Sequence, residues 1–386
     1  MEPQTPYRPG LFRYLWVCGI AMALGWGIRG QIGHERGAML AGVLGALAVL
    51  LVTLDRRKRQ RFAWVCLGGG IGLAIGGSMS YGAVAGSLGK PGCAMVCTSL
   101  LLLKGAIWGA IGGGGLGMAL SDVRYRARDA FWLLPLAAIY LPAAAWHPDG
   151  EWSRDDNTWG LLAAGLALVA WLRWVKRDRA AFFAAAASAV GFGIGFPLGS
   201  WCCVFGERTG IPIDWWKIAE MTWGLCGGLS WGVAIRAIDE DAVSPPEPRH
   251  AWPAALGIVY AAWFVPLWNG LNVFTYWGLE RRVMPAGIVA VYGLITAAAL
   301  AGLIFWMKLS NWRVWNETKT VKALMTWVMT IAFCFQFVKM AYPNGMYGAG
   351  FWFTQIVFFV LMVLLGRHIV KRTPRGFVTV CCGIPQ

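Results

Sequence analysis

With 386 residues, 58% of them hydrophobic and only 14% charged, the chain is too apolar for a soluble α/β protein, in which about a quarter of residues are charged. The net charge of +15 does not point to nucleic acid, because no segment is polar enough to form a soluble domain that would hold it. A β-barrel is excluded as well: barrel strands alternate over roughly ten residues, whereas these apolar stretches are about twice that length and rich in Gly, Ala and Leu.

A helix crossing hydrocarbon ~30 Å thick needs about 20 mostly apolar residues, since only helices and closed barrels satisfy every backbone group there. Windows of that length predict twelve spans, at 11–33, 37–54, 62–86, 94–120, 130–147, 157–174, 180–206, 215–236, 251–275, 284–307, 321–340 and 347–366. The expected architecture is an all-α, polytopic integral membrane helix bundle. Residues 1–236 make a first bundle of about eight transmembrane helices, 237–250 an acidic linker bearing proline, 251–372 a second bundle of about four, and 373–386 a tail. No compact basic region precedes the first apolar block and no small-residue cleavage site follows it, so it reads as a retained span.

The basic residues test this count. If the amino terminus is cytoplasmic, the inner segments collect 24 of the 34 Lys and Arg, among them Arg56, Arg57, Lys58, Arg59 and Arg61 after the second span and Arg173, Lys176, Arg177 and Arg179 after the sixth. The loop HPDGEWSRDD at 147–156, on the other side, is acidic. The positive-inside rule then sets both termini in the cytoplasm, with the chain in the cell (inner or plasma) membrane. Trp16, Trp152, Trp171, Trp174, Trp215, Trp216, Trp277, Trp312 and Trp315 lie near the ends of the apolar blocks, as an interfacial belt requires. The ten Cys show no metal-ligand spacing, and a loop disulfide from Cys93 or Cys97 is left open.

Three segments share the pattern G-x-G-I-x-x-x-[I/L]-G: GWGIRGQIG at 25–33, GGGIGLAIG at 68–76 and GFGIGFPLG at 191–199. A second pattern, W-G-x-x-G-G-x-x-x-G, follows two of them, at 108–117 and 223–232. The order is the same in spans three–four and seven–eight, which predicts a parallel internal duplication, of a two-span or a six-span unit. Gly72 and Gly76, then Gly109, Gly113 and Gly117, then Gly195 and Gly199, then Gly224, Gly228 and Gly232 are spaced by four and fall on helix stripes. Such stripes let backbones pack closely; beside polar residues they can also line a narrow path.

Polar residues of that kind are present. Lys104 lies near the middle of the fourth span, where an ammonium costs on the order of 2.5–3.5 kcal/mol and needs a partner or water. The repeat alignment sets Glu220 at nearly the same depth, each within one turn of a motif tryptophan, Trp108 or Trp223, so a buried Lys104–Glu220 ion pair is expected. The alternative sends Glu220 and Lys217 to the outer interface and Lys104 to backbone carbonyls. A second group, Arg29, Gln31, His34, Glu35 and Arg36, sits at the outer end of the first span, with Arg29 where the other two copies have Gly72 and Gly195. Arg29 is suited to a carboxylate or phosphate and His34 with Glu35 to a proton relay; self-pairing of Glu35 with Arg36 in a polar hairpin is the plainer reading. Asn269 and Asn272 share one face of a helix interrupted by Pro266 and Gly270, where freed carbonyls can bind a solute.

The zinc, P-loop and G-x-S-x-G signatures are absent. The expected function is therefore passive or ion-coupled membrane transport of a small, anionic solute, with a central site between glycine-rich helices near Lys104 and Glu220 and an outer gate near Arg29, His34 and Glu35. No cofactor, metal or nucleic acid is expected; the partners are the lipid bilayer and an unknown small solute, and a homo-oligomer is compatible with the sequence. The alternatives are a membrane-embedded enzyme acting on a lipid or lipid-linked sugar at the outer face, and a channel.

Overall fold

The structure, a computed structural model, describes residues 10–32, 34–126, 129, 157–240, 256–265, 317–340, 356–357, 360–361 and 363–366. At 30–32, 34–36, 240, 262–263, 317 and 330–340 it describes the backbone alone. The described residues are all-helical, without a strand. In chain order the elements are α1 (Leu11–Ile32), α2 (His34–Val52), α3 (Arg56–Gln60), α4 (Phe62–Gly76), α5 (Gly82–Ser87) and α6 (Ala94–Leu120). They continue with α7 (Thr158–Ala170), which runs on as a π-helical turn at Trp171–Val175, then α8 (Arg179–Arg208), α9 (Trp215–Glu240) and α10 (Glu317–Met340). A second π-helical turn spans Val259–Phe264.

Six of these helices close a ring, each packed on the next in the order α1, α2, α4, α6, α8, α9 and back to α1. Glycine stripes permit the tightest of these contacts. A methyl added at Gly105, Gly109 or Gly113 of α6 would strike the backbone carbonyls of Phe192, Ser188 and Ala184 on α8, and Gly117 meets Ala181 there. On α9, Gly224, Gly228 and Gly232 press in the same way on the carbonyls of Met22, Cys18 and Tyr14 of α1. Backbones this close gain dispersion and leave no room for lipid between them.

Large apolar side chains lie both inside the ring and on its outer surface. Trp26, Trp108, Trp223, Trp231, Phe192 and Phe196 are fully buried, while Ile71 and Ile75 of α4 and Val190, Ile194 and Leu198 of α8 form exposed stripes at helical spacing. A helix that is hydrophobic all round belongs in lipid, because in water an outward stripe of this kind would drive association. Four helical stretches, Leu11–Arg29, Ala94–Leu120, Thr158–Val175 and Arg179–Arg208, are long and apolar enough to cross a membrane. The molecule is a helical membrane protein on these grounds.

The third predicted span, 62–86, is not one helix. It stops at Gly76, turns through Gly77, Ser78, Met79, Ser80 and Tyr81, and resumes as the short α5. The reason is local: the N–H groups of Gly77, Ser78 and Met79 bond three residues back, to Ala74, Ile75 and Gly76, and the Ser78 hydroxyl also donates to the Ile75 carbonyl (2.9 Å), so the last turn tightens and the helix ends. The second span begins three residues early, at His34, and the eighth runs on to Glu240, into the segment expected as linker. The predicted spans at 130–147 and 284–307 lie outside the described residues.

At the end of the ring that carries α3, polar groups pair among themselves. Asp239 of α9 accepts from the Thr53 hydroxyl (2.7 Å), from Leu54 N–H (3.1 Å) and from Lys58 Nζ (2.9 Å). Lys58, 2% exposed, also reaches Asp55 (3.5 Å) and the Ile238 carbonyl (3.2 Å). The loop between α2 and α3 is thereby tied to the end of α9.

A candidate solute site: a buried arginine among aromatic rings

Toward the opposite end, Arg29 of α1 points into the ring and is 1% exposed. Its guanidinium carbon lies 4.6 Å from the centroid of Trp108, 4.8 Å from Tyr81 and 5.3 Å from Trp26, and it donates a hydrogen bond to the Tyr81 hydroxyl. A planar, weakly hydrated cation on three π-faces suits a dry site far better than an ammonium would. The rings also contact one another: Trp26 with Trp108 (5.2 Å) and Phe192 (5.0 Å), Phe196 with Trp223 (5.0 Å), and Tyr81 with Trp223 (4.7 Å) and Trp216 (6.3 Å). Several angles are steep, near the edge-to-face arrangement that aromatic pairs favour.

Glycines seat the two motif tryptophans. A methyl at Gly76 would overlap the Trp108 indole and one at Gly199 the Trp223 indole, so both rings lie flush on the neighbouring helix. The Trp108 indole N–H donates to the Leu73 carbonyl at 2.8 Å. Those of Trp26 and Trp223 are buried without an acceptor among the described residues. Gly72 and Gly195, at the motif position of Arg29, face Gly112 and Cys226.

Lys104 and Glu220 both come to this end of the ring, but the described contacts of each differ from the expected mutual pair. Lys104, 2% exposed, donates to the Ser80 carbonyl (2.7 Å) and the Thr158 hydroxyl (2.6 Å). Glu220, 1% exposed, is paired with Lys217 one turn earlier at 2.9 Å, and Lys217 also donates to the Gly27 carbonyl. The broken segment Ser80–Tyr81 thus meets Lys104 through its carbonyl and Arg29 through its phenol.

Of the other predicted site residues, Gln31, His34 and Glu35 lie in helices whose side chains are outside the description, and Asn269 and Asn272 lie outside the described residues. Sequence reading passed over Trp26 and Lys217 as site residues, and took Tyr81 only as one of several polar residues in apolar runs. The spacing of Lys217 and Glu220 was a usable signal, since residues three apart on a helix are neighbours. Cys93 and Cys97 are unbridged. No protein-family model matches the chain, and neither curated proteins nor solved structures give a match.

Proposed function

We propose that this protein is a transporter of a small, anionic solute, passive or ion-coupled, with its site at Arg29 inside the six-helix ring. The burial of that guanidinium carries the reading. A charged side chain in the interior of a membrane protein costs on the order of 2.5–3.5 kcal/mol on insertion scales, and such residues mark substrate and ion pathways. In this mechanism Arg29 and Lys104 attract the anionic group, while Glu220 or Glu35 takes up a coupling proton.

The proposal includes twelve spans, cytoplasmic termini and parallel glycine-rich repeats with a two-helix unit. Register supports the repeats. Gly68 meets Gly115 and Gly76 meets Trp108; Gly191 meets Ser230 and Gly199 meets Trp223. The first partners are offset by 123 residues and the second by 115 in both cases. The pair α1–α2 fits the same scheme, because Gly25 meets Ala41 and Arg29 meets Gly37. Counting seven residues back from Ala41, as from Gly115 to Trp108 and from Ser230 to Trp223, reaches His34. In this reading the ring is three related hairpins around one axis. The first has exchanged a glycine and a tryptophan for Arg29 and His34.

Proteoliposomes containing the full chain test the function. Uptake of radiolabelled chloride, bicarbonate or acetate above that of empty vesicles is expected, and Arg29→Met should abolish it. A proton ionophore that collapses the uptake identifies proton coupling. The proposal fails if none of these anions enters faster than through empty vesicles, or if Arg29→Met carries them as well as the parent protein.

A further inference from the structure

At the α3 end, the last turn of α6, the entry to α8 and the end of α9 enclose a groove of about 570 Å³, lined in part by Lys58, Asp122, Arg177, Asp178, Arg179 and Phe183. That volume falls within the ~300–1,000 Å³ of small-ligand sites. The acids along it are already engaged. Asp122 holds Arg57 and Arg61, each at 3.3 Å, and Asp178 accepts from the Tyr125 hydroxyl (2.6 Å) and from Ala181 N–H (2.9 Å). Lys58 is held by Asp239 (2.9 Å). Arg177 and Arg179 are exposed and have no acidic partner among the described residues.

The backbone positions these cations. Arg177 has φ 53°, the one non-glycine residue with positive φ among those described. The left-handed turn closes the helix before it, with Asp178 N–H on the Leu172 carbonyl (2.9 Å), and sets Arg177 and Arg179 on either side of the buried Asp178 at the mouth of α8. Apolar groups border the cations: Phe183 in the groove is 40% exposed, and Trp174 and Val175, just before the turn, are 71% and 51% exposed. An exposed tryptophan beside arginines is the composition of a membrane interface, where a headgroup meets acyl chain.

From these features we infer that the groove is a binding site for the phosphate of an anionic phospholipid, held by Arg177 and Arg179 with the acyl chain against Phe183. Basic pockets between transmembrane helices take such headgroups. The site is separate from Arg29, so it stands whether or not the chain transports an anion.

The test uses the full chain in detergent with dioctanoyl phosphatidylglycerol, dioctanoyl phosphatidylcholine and inorganic phosphate, with adducts counted by native mass spectrometry. Phosphatidylglycerol should be retained in preference to phosphatidylcholine. Arg177→Gly, which suits the positive φ, and Arg179→Gln should each weaken that retention about fivefold, with an unchanged thermal transition. Arg177→Lys should restore most of it. Equal retention of the two lipids, equal retention by parent and variants, or displacement of the lipid by millimolar phosphate would each overturn the assignment.

Discussion

In both α4–α6 and α8–α9 a glycine of the first helix seats a tryptophan of the second, Gly76 under Trp108 and Gly199 under Trp223, yet past that contact the pairs diverge. The helix α4 stops at Gly76, whereas α8 continues to Arg208 in spite of Pro197. A proline is tolerated inside a membrane helix, where it removes the bond to the carbonyl four residues back, here that of Gly193. In α8 the Ser200 hydroxyl donates to the Phe196 carbonyl at 2.8 Å. In α4 the equivalent carbonyl, that of Leu73, accepts from the Trp108 indole (2.8 Å) beside the Gly77 N–H (3.0 Å). The early stop of α4 has the larger consequence. It exposes the Ser80 carbonyl to Lys104 and turns Tyr81 inward to Arg29. The polar site is built where the two pairs cease to be alike.

The seating contact is where that likeness can be broken most severely. At Gly199 an added side chain meets the Ala219 carbonyl at 2.5 Å as well as the Trp223 ring, while the nearest atoms at Gly76 all belong to the Trp108 ring. A ring can shift and a helix backbone cannot. Overpacking of this kind costs typically about 1–3 kcal/mol. Gly199→Leu should fall at the upper end of that range and Gly76→Leu at the lower, read as denaturant midpoints in detergent. Equal losses would mean that the rings, not the backbones, fix the helix separation.

A smaller effect isolates the break. Lys104→Met removes the bonds to the Ser80 carbonyl and the Thr158 hydroxyl, and hydrogen bonds to a charged group are worth about 1.5–3 kcal/mol. We expect a loss of about 2 kcal/mol. Backbone amide exchange should quicken at Ser80–Gly82 and stay unchanged at Ser200–Val204 in α8. Faster exchange in both segments would show that Lys104 supports the whole ring and not the α4 break.

Much of the fold was legible because lipid imposes a length. The windows 94–120 and 180–206 match α6 and α8 to within two residues, since a run of twenty apolar residues has few other uses. The break at 77–81 was not legible to the same reading: a window averages Gly77, Ser78 and Ser80 with Ile75, Met79 and Val84, and the sum stays apolar. Its local signature, Gly-Gly-Ser followed by Ser-Tyr-Gly, was in plain view, and so was the candidate status of Arg29 from its exchange with glycine. The partners of Lys104 were harder. Depth along a helix follows from residue number, but which face meets which neighbour depends on ring closure, and that is set by contacts far apart in sequence. Lys217, three residues from Glu220, forms the ion pair that the repeat alignment had given to Lys104.

The smallest difference is the most discriminating. Trp108→Phe and Trp223→Phe remove the same atoms from fully buried sites, so the packing losses should nearly cancel in a comparison of the two. What remains is the indole N–H, bonded to the Leu73 carbonyl in one case and without an acceptor among the described residues in the other. A net hydrogen bond contributes about 1 kcal/mol, so Trp108→Phe should be the more damaging by about that amount. Ser200→Ala sharpens the point, because it releases the Phe196 carbonyl that the Trp223 indole would otherwise take by analogy with Leu73. In that background Trp223→Phe should become as costly as Trp108→Phe, and the coupling between Ser200 and Trp223 in a double-mutant cycle measures the exchange directly. If the cycle shows no coupling, the two pairs differ in helix length alone, and the hydroxyl of Ser200 has no part in keeping α8 and α9 distinct from α4 and α6.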